Sequence, residues 1–240
     1  ENGEWAIVYT SRPYSLSSMW EGRTRADYYK VSLCTGERSL LKTADYTRYR
    51  ISPEGRFAYG YNPTDSCWYT YHFSSSRLIK LTSPRNFTVW DEENDVPDYP
   101  EAYGIAGWTQ GDDRILIYDR YDIWSFDPMG NSKAVNLTVN GRASRHTYRW
   151  LNLDKEQHFI HLAEPQFLSA FDELRKTTLF YQADLRQPQA PVCLLEETCK
   201  MDNLMKAKAA NRLLFTKERF DVFPDIFAAD INLKKPIQLT

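Results

Sequence analysis

No stretch of this 240-residue sequence approaches the roughly 20 apolar residues that a membrane-spanning helix needs. The longest apolar runs, such as Ile115 to Tyr118, are the length of one strand. Net charge is nearly absent, at -2 for 30 Lys and Arg against 32 Asp and Glu, so no global field draws the chain to nucleic acid or an anionic membrane. Cysteine is scarce. Cys34, Cys67, Cys193 and Cys199 form no C-x-x-C pair, which leaves a zinc ribbon or thioredoxin-like motif without support. The sequence does not choose among their possible pairings, and unpaired small apolar side chains are the simplest reading. There is no H-E-x-x-H, P-loop or G-x-G-x-x-G, so no metal or other cofactor is expected. His158 and His161 are three apart, a metal-like spacing on a helix. The strand expected over Phe159 to Leu162 points them to opposite faces instead. The nearest approach to the G-x-S-x-G of a hydrolase is Gly107-Trp108-Thr109-Gln110-Gly111, with Thr in the nucleophile position and a polar turn and strand after it. It reads as a turn, and no catalytic residue is assigned. The opening Glu1-Asn2-Gly3-Glu4 carries no Met, basic segment or apolar segment. A signal peptide is therefore expected to be absent or removed, and the chain to be a piece of something longer.

What is abundant is aromatic bulk. Aromatic residues make up 15% of the chain, which excludes a disordered polymer of high net charge. They sit in an ordered repeat. Five apolar runs, Ala6 to Tyr9, Phe57 to Tyr59, Ile115 to Tyr118, Phe159 to Leu162 and Leu213 to Thr216, recur about every 50 residues. Each is followed by an aromatic or β-branched segment: Tyr28 to Val31, Trp68 to Tyr71, Ile123 to Phe126, Leu179 to Gln182 and Ile226 to Ala229. A third segment closes each unit, and three of these end in Leu-Thr, at Leu81-Thr82, Leu137-Thr138 and Leu239-Thr240. Polar turns such as Ser52-Pro53-Glu54-Gly55 precede the apolar runs.

One unit thus reads strand, turn, apolar strand, loop, aromatic strand, turn, short strand. Four strands in about 40–50 residues is the signature of a propeller blade. The expected fold is an all-β propeller of four-stranded antiparallel blades, with approximate boundaries 1–43, 46–82, 103–138, 146–195 and 200–240 in a single domain. Stacked blades bury the second strand on both faces, which explains unbroken apolar runs where a half-exposed sheet would alternate. A β-sandwich with accidental periodicity is the alternative. Five blades without a strand before Trp5 suggest an incomplete arc of a seven- or eight-bladed ring. Its two exposed faces would favour pairing with a second copy as a homodimer.

Departures from the repeat mark insertions. Residues 83–104 hold an acidic, proline-bearing loop, and the sequon Asn86-Phe87-Thr88 precedes it. In residues 163–176, apolar Phe167, Leu168, Phe171 and Leu174 fall at helical spacing and predict a short helix on a blade edge. Residues 200–209 suit a strand or a helical turn. Asp119-Arg120-Tyr121-Asp122 and Glu218-Arg219-Phe220-Asp221 follow the second strands of the third and fifth units. The first unit has Ser11-Arg12-Pro13-Tyr14 at that position. Equivalent loops emerge on one propeller face, so Arg120 and Arg219 are candidate substrate-binding residues that could hold a carboxylate or carbonyl. Pairing with local acids is the simpler role.

The stretch Asp98-Tyr99-Pro100-Glu101-Ala102-Tyr103-Gly104 through Trp108-Thr109, then Ile115 to Trp124 and Asp127-Pro128, resembles the propeller of prolyl oligopeptidase family serine peptidases. The likeness is strongest to large dipeptidyl-peptidase-like and acylaminoacyl-peptidase-like members of Bacteroidetes bacteria. Phe223-Pro224-Asp225-Ile226-Phe227 with Leu239-Thr240 is similar to the last blades of such propellers. The resemblance implies a non-catalytic propeller that gates and selects peptide substrates for an α/β-hydrolase domain not present in these residues. It also implies export to the periplasm. The pairs Glu92-Glu93 and Glu196-Glu197 lie in other contexts than the family's amino-terminus-binding glutamates, and that role is not transferred to them. A freestanding periplasmic binding or scaffold propeller is the competing function.

Overall fold

Alternation and apolar runs of strand length dictate short strands joined by polar turns, and a computed structural model shows this over its described residues, 3–240. Glu1 and Asn2 of the opening turn lie outside them. The first sheet contains β1 (Trp5–Thr10), β2 (Ala26–Ser32) and β3 (Arg38–Asp45). The second contains β4 (Arg50–Ile51), β5 (Phe57–Asn62), β6 (Cys67–His72) and β7 (Arg77–Lys80). The third contains β8 (Ile105–Trp108), β9 (Ile115–Tyr118), β10 (Ile123–Phe126) and β11 (Val135–Asn136). The fourth contains β12 (His146–Trp150), β13 (Gln166–Asp172), β14 (Thr177–Ala183) and β15 (Val192–Glu196). The fifth contains β16 (Lys200–Lys206), β17 (Arg212–Arg219), β18 (Val222–Asp230) and β19 (Ile237–Gln238). In every sheet the strands lie side by side in chain order. Such meanders are the blades of a β-propeller. Among the described residues the first blade has three strands and the others four.

The chain divides into two compact units, residues 1–120 with 126–134, and residues 121–125 with 135–240. Within the first, Ala58, Tyr71 and Phe73 of the second blade pack against Trp5, Ile7, Leu41 and Tyr49. Lys30 is buried there. Its Nζ stands 3.7 Å from the Trp5 ring centroid and donates to the Phe73 carbonyl at 2.7 Å, and burial lowers its pKa. Within the second unit, Phe180 of β14 joins Met201, Leu204, Leu213, Phe215 and Ala229 in one core between the fourth and fifth blades. β9 is buried along its whole length, as a strand covered on both faces must be. No helix among the described residues is long and apolar enough to cross a membrane. All four cysteines are unpaired.

Two hydroxyl devices recur. At the turn between first and second strands, Ser52 and Thr109 each stand five residues before the start of the return. Phe57 N–H donates to Ser52 Oγ at 3.0 Å and Arg114 N–H to Thr109 Oγ1 at 3.0 Å. The Leu-Thr endings form a second device. Leu81 N–H donates to Trp68 O at 2.9 Å while Trp68 N–H donates to Thr82 Oγ1 at 2.9 Å. Leu137 and Thr138 clasp Ile123 in the same way, at 2.8 and 3.1 Å, and Leu239 and Thr240 clasp Ile226, at 2.8 and 2.9 Å. Each clasp pairs third-strand backbone groups just beyond the end of the short fourth strand.

Blades are also tied by buried acids. Asp112 is completely buried with a left-handed backbone, φ 53°. Its carboxylate accepts from Ser52 Oγ at 2.5 Å, Glu54 N at 3.1 Å and Arg56 N at 3.1 Å, joining the third blade's turn to the second's. Asp122, also buried, accepts from Thr138 Oγ1 at 2.6 Å and Gly141 N at 2.9 Å. It thereby fixes the short helix α1 (Gly141–Ser144) that leads into β12.

The fourth blade departs from the sequence expectation. The apolar run Phe159 to Leu162 belongs to the loop before β13, and residues 166–172 form the second strand where a helix was expected. Burial alternates there, with Gln166, Leu168, Ala170 and Asp172 inward and Phe171 exposed. Hydrophobicity misses this period of two because two inward residues are polar and satisfied. Gln166 Nε2 donates to the His161 and Glu164 carbonyls at 2.8 and 2.9 Å, and Asp172 accepts from Leu174 N and Arg175 N at 2.8 and 3.0 Å. His158 and His161 therefore lie on a loop rather than on opposite faces of a strand. Residues 200–206 are a strand.

Valine in place of each clasp threonine removes only the hydroxyl. Thr82→Val and Thr138→Val, at buried sites, should each cost about 1–3 kcal/mol in urea unfolding, with Thr138 the greater because Asp122 loses a donor as well. Thr240→Val, at an exposed site, should cost less. Asp112→Ala strands two backbone N–H groups and leaves the Ser52 hydroxyl only the Phe57 carbonyl at 3.1 Å, and should cost about 2–4 kcal/mol by the same measurement.

Candidate functional site

Arg120 lies in the loop between β9 and β10, the second and third strands of its blade, whereas Arg219 is the last residue of β17 and pairs across a tight hairpin with Val222. Their surroundings differ. Arg120 is largely covered, and its Nη2 meets Glu93 Oε1 of the acidic insertion at 2.6 Å. The neighbouring Tyr121 is buried, with its hydroxyl donating to Glu173 Oε2 at 2.8 Å, and Asp122 is the structural acid described above. Arg219 is more than half exposed and pairs with Asp221 at 3.2 Å, two residues along. Phe220 beside it projects fully into solvent. The similar strings thus carry a buried junction in one blade and a solvent-facing hairpin in the other.

A more developed site lies in the first unit, where residues distant in sequence enclose a cavity of about 430 Å³ whose lining includes Arg23, Arg48, Arg50, Tyr59, Tyr61, Trp68 and Glu101. Arg48 comes from the connection into the second blade, Arg50 from the start of β4, and the aromatic residues from β5 and β6. This connection lies close against β5 because position 60 is glycine: a Cβ there would stand 2.4 Å from Thr47 Cγ2 and 3.1 Å from the Arg48 carbonyl.

Arg23 is committed to holding the acidic insertion. Its Nε donates to both Asp98 oxygens at 2.8 and 3.0 Å and its Nη2 to the Tyr99 carbonyl at 2.7 Å, with Glu101 Oε1 at 2.9 Å. Arg48 and Arg50 form no ion pair with any carboxylate among the described residues. Trp68 is more than nine-tenths buried, and its indole N–H has no hydrogen-bond partner. Burial raises the Tyr59 pKa, offset in part by Arg50 and by the Trp108 indole. Burial pushes Tyr61 up to about 12, so both phenols stay protonated at neutral pH. The wall is rich in donors and poor in free acceptors. No local motif marks it; the one signal in sequence is the run Tyr46-Thr47-Arg48-Tyr49-Arg50, where basic and aromatic residues interleave.

No protein-family model and no curated protein sequence matches the chain. Among solved structures it is similar to a prolyl endopeptidase studied for the role of inter-domain dynamics in catalysis and specificity. Identity is 13%, the TM-score is 0.55, and the match covers 98% of this chain and 33% of that one. The chain therefore spans about a third of that protein's length, and the likeness is one of fold. It is more loosely similar to the β-propeller domain of the trilobed protease of Pyrococcus furiosus, with 10% identity, TM-score 0.38, and 100% and 95% of the two chains covered. The acylaminoacyl peptidase of Pyrococcus horikoshii matches at 12% identity and TM-score 0.33, over 98% and 44% of the chains. These last two superpositions are too loose to carry an argument.

The Asp98 carboxyl lies below the usual range, first because Arg23 bonds it and then because the Tyr99 N–H does. The Arg23 tie therefore stands at neutral pH and is released only as the pH falls through that lowered pKa. NMR titration should place the Asp98 midpoint below that of an ordinary aspartate, and Arg23→Gln should return it upward. Arg219→Ala, which removes an exposed pair, should change unfolding free energy by less than about 1 kcal/mol.

Proposed function

We propose that this chain is the non-catalytic propeller portion of a serine peptidase of the prolyl oligopeptidase kind, gating and selecting peptides for an α/β-hydrolase domain carried elsewhere in the full-length product. The observation that carries the reading is the row of meandering blades sharing a prolyl endopeptidase's fold over 98% of this chain. The sequence resemblance over residues 98–128 points the same way. On this reading the blades are an arc of about five from a larger ring, and the parent enzyme is exported to the periplasm. Exposed apolar side chains on the first blade, Tyr9 and Leu40, and on the last, Phe223 and Ile237, would be covered by further blades or by a second copy.

Here Arg120 and Arg219 serve the propeller's own ion pairs, and substrate contact by either is secondary to that role. A freestanding binding or scaffold propeller is the second reading, favoured by the aromatic, arginine-lined cavity, which needs no hydrolase to act.

The two readings separate on the full-length gene product. The peptidase reading expects a serine that labels with a fluorophosphonate probe, and cleavage that falls away as folded proteins replace short peptides. The isolated 240 residues should neither label nor hydrolyse dipeptide or acylated amino-acid substrates, because they contain no nucleophile elbow. Labelling of the isolated chain, or a full-length product without a reactive serine, would overturn it.

A further inference from the structure

We infer that the cavity of the first unit is a binding site for the free C-terminal carboxylate of a peptide whose last side chain is aromatic or aliphatic. The site belongs to this chain alone and is independent of the hydrolase reading.

The argument is one of donors without acceptors. Two guanidinium groups, Arg48 and Arg50, line the cavity without a carboxylate partner among the described residues, while Arg23 is already held by Asp98 and Glu101. The Trp68 indole N–H, a donor only, is buried and unpaired in the same wall. One layer behind Tyr59 stands the Trp108 ring, with the two ring centroids 5.2 Å apart. Buried donors of this kind cost free energy unless an acceptor reaches them.

A carboxylate offers two oxygens with several lone pairs and accepts from a guanidinium in fork geometry. A cationic ligand would face uncompensated like charge. A neutral amide end offers one carbonyl and adds donors where donors are already in surplus. The remaining surface is aromatic, Tyr59, Tyr61 and Trp68, with Tyr61 and Trp68 5.7 Å apart, and suits a flat or branched apolar side chain beside the carboxylate. A volume of about 430 Å³ accommodates a terminal residue and part of the one before it.

The test is an NMR titration of the 240-residue chain, with the Trp68 indole resonance identified by its loss in Trp68→Phe. The dipeptide Gly-Phe should move that resonance saturably, and its C-terminal amide should bind at least about 10-fold more weakly. That is the scale of one charge-assisted hydrogen bond. Arg48→Gln and Arg50→Gln should each weaken the free acid by about 10-fold or more, with thermal midpoints close to wild type to show that the fold is kept. Equal binding of acid and amide, no saturable shift with either, or unchanged affinity in both arginine variants overturns the proposal. Inorganic phosphate bound as tightly as the dipeptide acid overturns its assignment to a peptide terminus. None of these outcomes touches the fluorophosphonate result, so the two readings fail separately.

Discussion

The structure depends on pairing the backbone of the third strand where its outer neighbour gives out. β11 and β19 are each only two residues long, so β10 and β18 outrun them. A buried N–H without an acceptor is costly, and no further strand lies on that side to supply one. A threonine hydroxyl does so instead, on Ile123 and Ile226, and Thr82 does the same for Trp68 of the second blade. The preceding leucine supplies the matching N–H to the same residue's carbonyl. β5 and β9 bury on both faces, and apolar cores form between neighbouring blades.

The buried carboxylates belong to the same economy of backbone groups. Asp112 serves a serine hydroxyl and two backbone N–H groups of the adjoining blade, and Asp122 joins its own clasp threonine to the helix that starts the next blade. Acids of polar turns and loops are thus interior acceptors. The string Asp119-Arg120-Tyr121-Asp122 is built for this junction, whereas Glu218-Arg219-Phe220-Asp221 faces water.

Legibility in the sequence followed the chemistry that buries each strand. The second strands β5, β9 and β17 declared themselves because each carries an unbroken apolar run, Phe57 to Tyr59, Ile115 to Tyr118 and Leu213 to Phe215, and the Leu-Thr endings because the clasp demands one residue type. β13 was hidden because Gln166 and Asp172 face inward, so the visible apolar residues fell into a false helical period. Ile160, buried in a loop, supplied a false strand in its place. The cavity was not legible, since it gathers side chains from residues 23 to 105 and is defined by the carboxylate that Arg48 and Arg50 lack and the acceptor that Trp68 lacks. Only the assembled fold shows which donors are left over.

The clasp has a bearing on how such blades diverge. It lies past the fourth strand and grips the third directly, so alignment of the outer edge is stored in the Leu-Thr pair and not in the hairpin before it. The intervening segments differ accordingly: residues 73–76 in the second blade, 127–134 in the third and 231–236 in the fifth, with the same clasp after each. Those hairpins are free to lengthen, shorten or change composition over generations while the blade keeps its register.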